Sequence, residues 1–140
     1  MINQEFVENL LKYKGTKFEY YGRSKEGIDC FGLYICARND IERLKKYDFL
    51  DYSCMPRNKH FIKEVLKTAN PINNNVFTLV PGHIILLTFK RGLPQHLCIY
   101  IGDNKIIHAN KKSGKVEIED FSEYEKYVHS IYQLKDKGDK

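Results

Sequence analysis

Apolar side chains recur at helical spacing in three stretches of the first half of the chain. The first stretch predicts an amphipathic helix that starts near Phe6 and ends near residues 14–15. The second begins at Cys30 and continues to Leu44, and the third predicts a short helix over 61–66. The first half of the chain is therefore expected to be helical.

In the second half, the pattern changes to short apolar runs and two-residue alternation, which are typical of β-strands. Strands are predicted at 83–89, 96–102, 105–109, 116–119 and 128–134, with a loop over 71–75 and a helical turn over 121–127. Helices followed by a mostly antiparallel sheet indicate an α+β fold. We expect a single domain over residues 1–140, with a loose charged tail at 135–140.

Composition narrows the class of protein only a little. The chain has 140 residues, of which 42% are hydrophobic, and this suits one domain with a substantial core. Its net charge of +5 is scattered along the chain and would help the protein approach an anionic surface. There is no basic stripe interleaved with stacking aromatics, so nucleic-acid binding is not indicated.

The chain carries no predicted targeting or membrane-spanning segment. The N-terminus lacks an apolar signal region, and the longest apolar run, at 84–87, is far too short to cross a bilayer. We therefore expect synthesis in the cytoplasm without a signal peptide. The four cysteines have no C-x-x-C spacing, and a chain of this size folds without disulfides, so reduced thiols are favoured.

The first candidate for chemistry is the thiol of Cys30, which lies where the second helix is predicted to begin. Asp29 is a good N-cap residue, and this places Cys30 in the first helical turn. The unpaired N–H groups and the positive end of the helix dipole there favour thiolate over thiol. Because a thiolate is nucleophilic, the position suggests covalent catalysis.

Two histidines supply a candidate base and its orienting partner. Alternation along 96–102 places His96, Cys98 and Tyr100 on one face of a strand. A turn after this strand predicts a hairpin, and His108 on the returning strand can then lie beside His96. His108 would hold the imidazole of His96 in the tautomer that accepts a proton from Cys30, which is the logic of a catalytic triad.

Four short motifs, in order, resemble those of the NlpC-type peptidoglycan cysteine peptidases, relatives of the papain superfamily. They are D-C-F-G-L at 29–33, P-G-H-I-I-L-L at 81–87, H-L-C-I-Y-I-G at 96–102 and I-H-A at 107–109. Each motif alone is weak evidence, but four with compatible separations are strong. The resemblance extends from about residue 18 to residue 134.

The resemblance implies a papain-like fold, with N-terminal helices packed on a five- to six-stranded sheet. It implies a Cys-His-His triad with Cys30 as nucleophile, His96 as base and His108 as third member. It also implies cleavage of the amide bond between D-glutamate and the following diamino acid in peptidoglycan stem peptides. Asp29 is expected to bind a substrate amine, and no metal or cofactor is expected.

Several positions depart from the family pattern. Phe18 stands where a tyrosine hydroxyl is common, so Tyr20 or Tyr21 would have to supply the substrate contact. Phe31 replaces a frequent serine, and Cys98 stands where glycine or alanine is usual. These departures motivate an alternative hypothesis, a wall-binding protein that does not cleave its ligand.

Two further alternatives concern the chemistry itself. The same cysteine chemistry would also suit an amide in a protein substrate. Cys98 could instead join Cys30, His96 and His108 around a zinc ion, although the spacing matches no familiar zinc pattern.

The compact chain resembles the branch carried by phage tails and gene transfer agents. That likeness implies tail proteins as partners and action at the bacterial cell wall. The sequence does not indicate an oligomeric state.

Overall fold

The computed structural model describes residues 2–50, 60–89, 94 and 96–136. Its helices are α1 (Ile2–Leu11), α2 (Cys30–Asn39) and α3 (His60–Thr68). Its strands are β1 (Arg23–Ser24), β2 (Gly27–Ile28), β3 (Ala69–Pro71), β4 (Ile84–Leu87), β5 (His96–Gly102), β6 (Lys105–Asn110), β7 (Lys115–Asp120) and β8 (Val128–Leu134). Single turns of 3-10 helix lie at Val76–Thr78, Phe121–Glu123 and Glu125–Tyr127. Within the described ranges, no helix has the length and apolar character needed to cross a bilayer.

Six of the strands form one antiparallel sheet in the order β3-β8-β4-β5-β6-β7. β1 and β2 pair separately as a small antiparallel hairpin just before α2. Helices before an antiparallel sheet confirm the predicted α+β fold, and the main sheet has six strands.

Where the structure differs from the sequence prediction, the elements are short or at the ends of longer ones. α1 ends at Leu11, and a tight turn follows in which the Tyr13 N–H donates to the Leu10 carbonyl. Strands β1, β2 and β3 have two or three residues each, too few for alternation to reveal them. Of the predicted loose tail, residues 137–140 lie outside the described part of the chain.

The two faces of the main sheet are covered differently, as the alternation along β5 predicts. Leu97 and Ile99 point to the face that packs against α1 and α2, where most of the buried apolar residues lie. Cys98 points to the opposite face and packs with Ile106 and Phe121 in a smaller cluster. Each fully buried leucine or isoleucine contributes ~1.5–3 kcal/mol to folding, so this alternation fixes the register of β5 strongly.

The side chain of Asp29 caps the start of α2. Its Oδ1 accepts the Gly32 N–H at 2.7 Å, and its backbone is extended, as an N-cap residue requires. Cys30 is the first residue of the helix. The predicted cap is therefore confirmed, and the thiol is held on a rigid element.

Gly32 lets the start of α2 approach the preceding loop closely. A Cβ built on this residue would lie 2.2 Å from the Gly22 carbonyl oxygen and 2.8 Å from a guanidinium nitrogen of Arg23. The first contact is with backbone, which cannot rotate away. The glycine of the D-C-F-G-L motif thus allows the loop that carries Tyr20 and Tyr21 to lie against the helix that carries Cys30.

We predict that Gly32→Ala destabilises the protein. In an open helix interior, alanine would stabilise by about 1 kcal/mol relative to glycine. Here the added methyl group forces the backbone near Gly22 to move, at a cost of about 1–3 kcal/mol, so the net effect should be a loss. Urea denaturation of both proteins measures the difference in the free energy of unfolding. A variant as stable as the wild type or more stable would show that this close approach is not restrictive.

Candidate active site

The thiol of Cys30 lies against the beginning of β5. It is partly buried, and backbone hydrogen bonds from Leu97, Phe31 and Cys30 itself act on it. Leu97 directly follows His96 in the chain, so the start of α2 meets the strand at the residue next to the predicted base. The approach of the His96 side chain to the Cys30 sulfur stays a prediction.

The surroundings of Cys30 disfavour a lone negative charge. Burial raises the pKa of its thiol to about 12, with the Asp29 carboxylate as a second cause, and the backbone hydrogen bonds only partly oppose this. The expectation that the helix start alone favours a thiolate is therefore wrong. Removal from water outweighs the favourable end of the helix, so a nucleophilic role of this sulfur would require a proton acceptor beside it.

The structure brings the two predicted histidines into direct contact. His96 Nε2 and His108 Nδ1 are 2.7 Å apart, and the rings meet at 71°. Burial, with His108 as the second cause, lowers the pKa of His96 to about 3, so its imidazole is neutral in the resting site. A neutral imidazole with one nitrogen engaged has the other available to accept a proton.

A third polar residue, Glu119 on β7, continues this line of hydrogen bonds. Its Oε1 lies 2.8 Å from His108 Nε2, and its carboxylate also accepts from Tyr124 Oη at 3.0 and 3.1 Å and from Asn110 Nδ2 at 3.2 Å. Partial burial acts against ionisation, but the hydrogen bonds from His108 and Tyr124 outweigh it and lower the pKa of Glu119. His108 itself is only 1% exposed.

The sequence alone does not identify Glu119 as part of the site. The strand containing it was predicted, but the residue becomes relevant only through the pairing of β6 with β7, which sets Ile106 opposite Glu119 and His108 opposite Glu117. A possible signal was the alternation of Glu117 and Glu119 on one face of a strand that follows the histidine hairpin.

The carboxylate of Asp29 has several hydrogen-bond donors within the protein. The residue is 3% exposed, and besides the Gly32 N–H its carboxylate accepts the Tyr21 N–H at 2.8 Å and lies 3.3 Å from Arg23 Nη1. The predicted binding of a substrate amine stays a prediction. Such an amine would have to compete with these three donors.

Tyr20 and Tyr21 lie on the loop beside this cap. Tyr21 has a left-handed backbone with φ of 64° and directs its N–H to Asp29. The Tyr20 ring packs edge-on against Phe18, and Lys111 Nζ lies 5.1 Å from the ring centroid of Tyr20. The structure places both tyrosines near the start of α2, and the substrate contact expected of their hydroxyls stays a prediction.

A cleft of about 450 Å³ opens on the His96 side of the sheet. His96, His108 and Glu119 line it, together with aromatic and charged side chains. These further lining residues are Phe89, Asn110, Lys111, Lys112, Glu123, Tyr124 and Tyr127. Aromatic surface beside charges of both signs suits a peptide ligand that carries carboxylate and amino groups.

The remaining departures from the family pattern lie away from the cleft. Phe31 is 1% exposed and packs edge-on against Tyr34 in the core. Cys98 is fully buried, and burial, with the charge of Cys30 as a second cause, raises its pKa. Across the described ranges, no three or more His, Cys, Asp or Glu side chains are grouped so that they could hold a metal ion.

Comparisons with known proteins identify relatives of this chain. The model of the NlpC/P60 family matches residues 15–133. The murein DD-endopeptidase MepS/murein LD-carboxypeptidase of Escherichia coli K12 is 27% identical over 117 residues, which cover 82% of this chain and 53% of that protein. The chain thus spans about half the length of this curated relative.

Solved structures share the fold at lower identity. NlpC1 from Trichomonas vaginalis superposes with a TM-score of 0.73 at 20% identity, over 94% of this chain and 44% of that one. The NlpC/p60 domain of the peptidoglycan hydrolase SagA gives a TM-score of 0.67 at 16% identity, over 94% of this chain and 98% of that one. Since the family model matches most of the chain and the fold agrees, the protein belongs to the NlpC/P60 family.

Proposed function

We propose that the protein is a cysteine endopeptidase that cleaves an amide bond in peptidoglycan stem peptides. The observation that carries the proposal is the 2.7 Å hydrogen bond between His96 and His108, together with a helix-start thiol that contacts the backbone of the residue after His96. The Escherichia coli relative is named as a murein endopeptidase and carboxypeptidase, which supports the substrate class. Cys30 is the nucleophile, His96 the general base and His108 its orienting partner.

In the proposed reaction, the Cys30 proton passes to His96 Nδ1 while the sulfur attacks the carbonyl carbon of the peptide. The backbone N–H of Cys30 donates to the developing oxyanion. When the C–N bond breaks, His96 returns the proton to the departing amine and a thioester remains on Cys30. A water then loses its proton to His96 and hydrolyses the thioester, which restores the free thiol.

Burial disfavours a charge on either partner alone, but the proton transfer creates both charges at the same time. A thiolate and an imidazolium about 4 Å apart attract each other by ~4 kcal/mol at the effective dielectric constant of a protein surface. This attraction offsets only part of the cost implied by a thiol pKa of about 12 and an imidazole pKa of about 3, so the resting pair stays neutral. The two charges would then form only as the sulfur bonds to the carbonyl carbon, which carries off the electron pair left by the proton.

We propose the bond between D-glutamate and the following diamino acid as the target. Such a stem peptide carries carboxylate and amino groups, and the cleft offers Lys111 and Lys112 to the former and Glu123 to the latter. The bacterial cell wall is then the site of action. Delivery by a phage tail or a gene transfer agent is one route by which the protein would reach it.

A second candidate function is binding to wall peptides without cleavage. One observation favours it: the Asp29 carboxylate, which the enzyme hypothesis assigns to a substrate amine, already has three donors within the protein. The two functions differ in whether peptide fragments are released from the wall.

We predict that Cys30→Ala abolishes the release of peptides from purified peptidoglycan, because no other group replaces the sulfur. The variant should unfold at nearly the wild-type urea concentration, since the residue is only partly buried. Mass spectrometry of the soluble fragments measures release. Cys36→Ala, which alters another partly buried thiol of the same helix, is the matched control and should retain activity.

Full activity of Cys30→Ala would eliminate Cys30 as the nucleophile. If the wild type binds the wall and releases no fragment, the protein is a wall-binding component instead. The masses of the fragments identify the bond that is cut, and cleavage of a protein substrate alone would exclude peptidoglycan as the target.

We also predict that His96 assists the alkylation of Cys30 by iodoacetamide at a rate nearly independent of pH between 5 and 8, because its neutral imidazole can take the thiol proton throughout this range. His96→Ala removes this acceptor, so the rate of that variant should follow the thiolate fraction and grow about tenfold per pH unit across pH 7–9, well below the raised thiol pKa. His96→Ala should slow the reaction at pH 7 by at least about tenfold through loss of the general base. His129→Ala, whose histidine bonds to the neighbouring Ser130, is the control.

Peptide mapping of the alkylated protein assigns the rate to Cys30 among the cysteines. A wild-type rate that rises about tenfold per pH unit between pH 5 and pH 8 would contradict assistance by His96, because it would show that only the free thiolate reacts. A rate unchanged in His96→Ala would remove His96 from the site.

A further inference from the structure

We propose that Glu119 is a positioning residue that determines which nitrogen of His96 is free to take the proton of Cys30. It acts through His108, so two hydrogen bonds separate Glu119 from His96, the residue that accepts the thiol proton. This inference rests on the proposed function, because it assigns Glu119 a role in the same proton transfer.

The carboxylate of Glu119 can only accept hydrogen bonds when it is ionised. Glu119 is surrounded by donors: His108 Nε2 at 2.8 Å, Tyr124 Oη at 3.0 and 3.1 Å, and Asn110 Nδ2 at 3.2 Å. These bonds favour the ionised form and keep the carboxylate in one orientation. Glu119 therefore requires a hydrogen on the nitrogen of His108 that faces it.

This requirement fixes the tautomer of His108. A neutral imidazole has one N–H, and because it lies on Nε2, the other nitrogen, Nδ1, has a lone pair. His108 Nδ1 is 2.7 Å from His96 Nε2, so His96 must donate from Nε2. The opposite arrangement would place a lone pair of His108 against the carboxylate at 2.8 Å, where two acceptors repel.

The tautomer of His96 follows by the same step. With its hydrogen on Nε2, His96 has a lone pair on Nδ1, which is the nitrogen left for the Cys30 proton. Removing the carboxylate would allow both histidines to reverse their tautomers together. His96 would then present an N–H to the sulfur, and a donor cannot act as the base.

Burial prevents water from disturbing these tautomers. His108 is 1% exposed, so bulk water does not compete for its two ring nitrogens, and each has a protein partner. The Glu119 side chain is 26% exposed and depends on Tyr124 and Asn110 for its orientation. When His96 becomes an imidazolium, the negative charge of Glu119 also favours that state through the intervening ring.

Nitrogen-15 NMR of histidine-labelled protein without substrate tests this inference. At pH 8, long-range shifts should show a protonated Nε2 and an unprotonated Nδ1 for both His96 and His108. In Glu119→Ala the two rings should change to a mixture of tautomers. Glu119→Gln should retain the wild-type tautomers, because its amide oxygen still accepts from His108. Glu125→Ala, at an exposed glutamate of the neighbouring 3-10 turn, should leave both rings unchanged.

Kinetics on wall peptides provide the second readout. Glu119→Ala should lower kcat by about two- to tenfold with little change in KM, in proportion to the fraction of His96 that loses the tautomer able to act as base. Glu119→Gln should restore most of the lost rate. A role confined to stability would lower the unfolding midpoint of both variants without changing the histidine shifts.

A hydrogen on Nδ1 of His108 in the wild type, or unchanged tautomers and kcat in Glu119→Ala, would overturn the positioning role. The two proposals can fail separately. Wild-type protein with the expected tautomers and no peptide release would contradict the proposed function and leave the assignment of the tautomers standing. Peptide release with the opposite tautomers would contradict only the role of Glu119.

Discussion

The hydrogen bond between His96 and His108 is the interaction on which the arrangement of the site depends. It forms because β5 and β6 pair as neighbouring antiparallel strands, and it orients the ring of His96 at the first residue of β5. Cys30 meets the same strand at Leu97, held there by the Asp29 cap. The site therefore combines one helix start and one hairpin, two elements whose relative position is set by the core between them.

Much of the fold and part of the site follow from local patterns in the sequence. The N-cap at Asp29, the alternation along β5 and the turn after Gly102 depend on near neighbours, and each is found where it was predicted. The sequence also places His108 near His96, because a tight hairpin leaves few registers. The two- and three-residue strands are not predictable, since they pair only because the larger elements bring them together.

Glu119 and the ionisation of Cys30 were missed for a different reason, because both depend on three-dimensional surroundings. Glu119 reaches His108 through the register of β6 with β7, which no local signal determines. The helix start suggested a thiolate, but burial of Cys30 raises its pKa to about 12 and reverses that expectation. A thiolate on Cys30 is costly in the resting site and would form only during attack. This is consistent with a site in which the base, and not the thiol alone, controls reactivity.

Trapping the covalent intermediate tests the central claim, that Cys30 attacks the peptide. Protein mixed rapidly with a wall peptide and quenched in acid would be digested and analysed by mass spectrometry. The account predicts a thioester on the peptide that contains Cys30, with the mass of the acyl half of the substrate and sensitive to hydroxylamine. An adduct on another residue, or product formed with no adduct on Cys30 at any quench time, would contradict it.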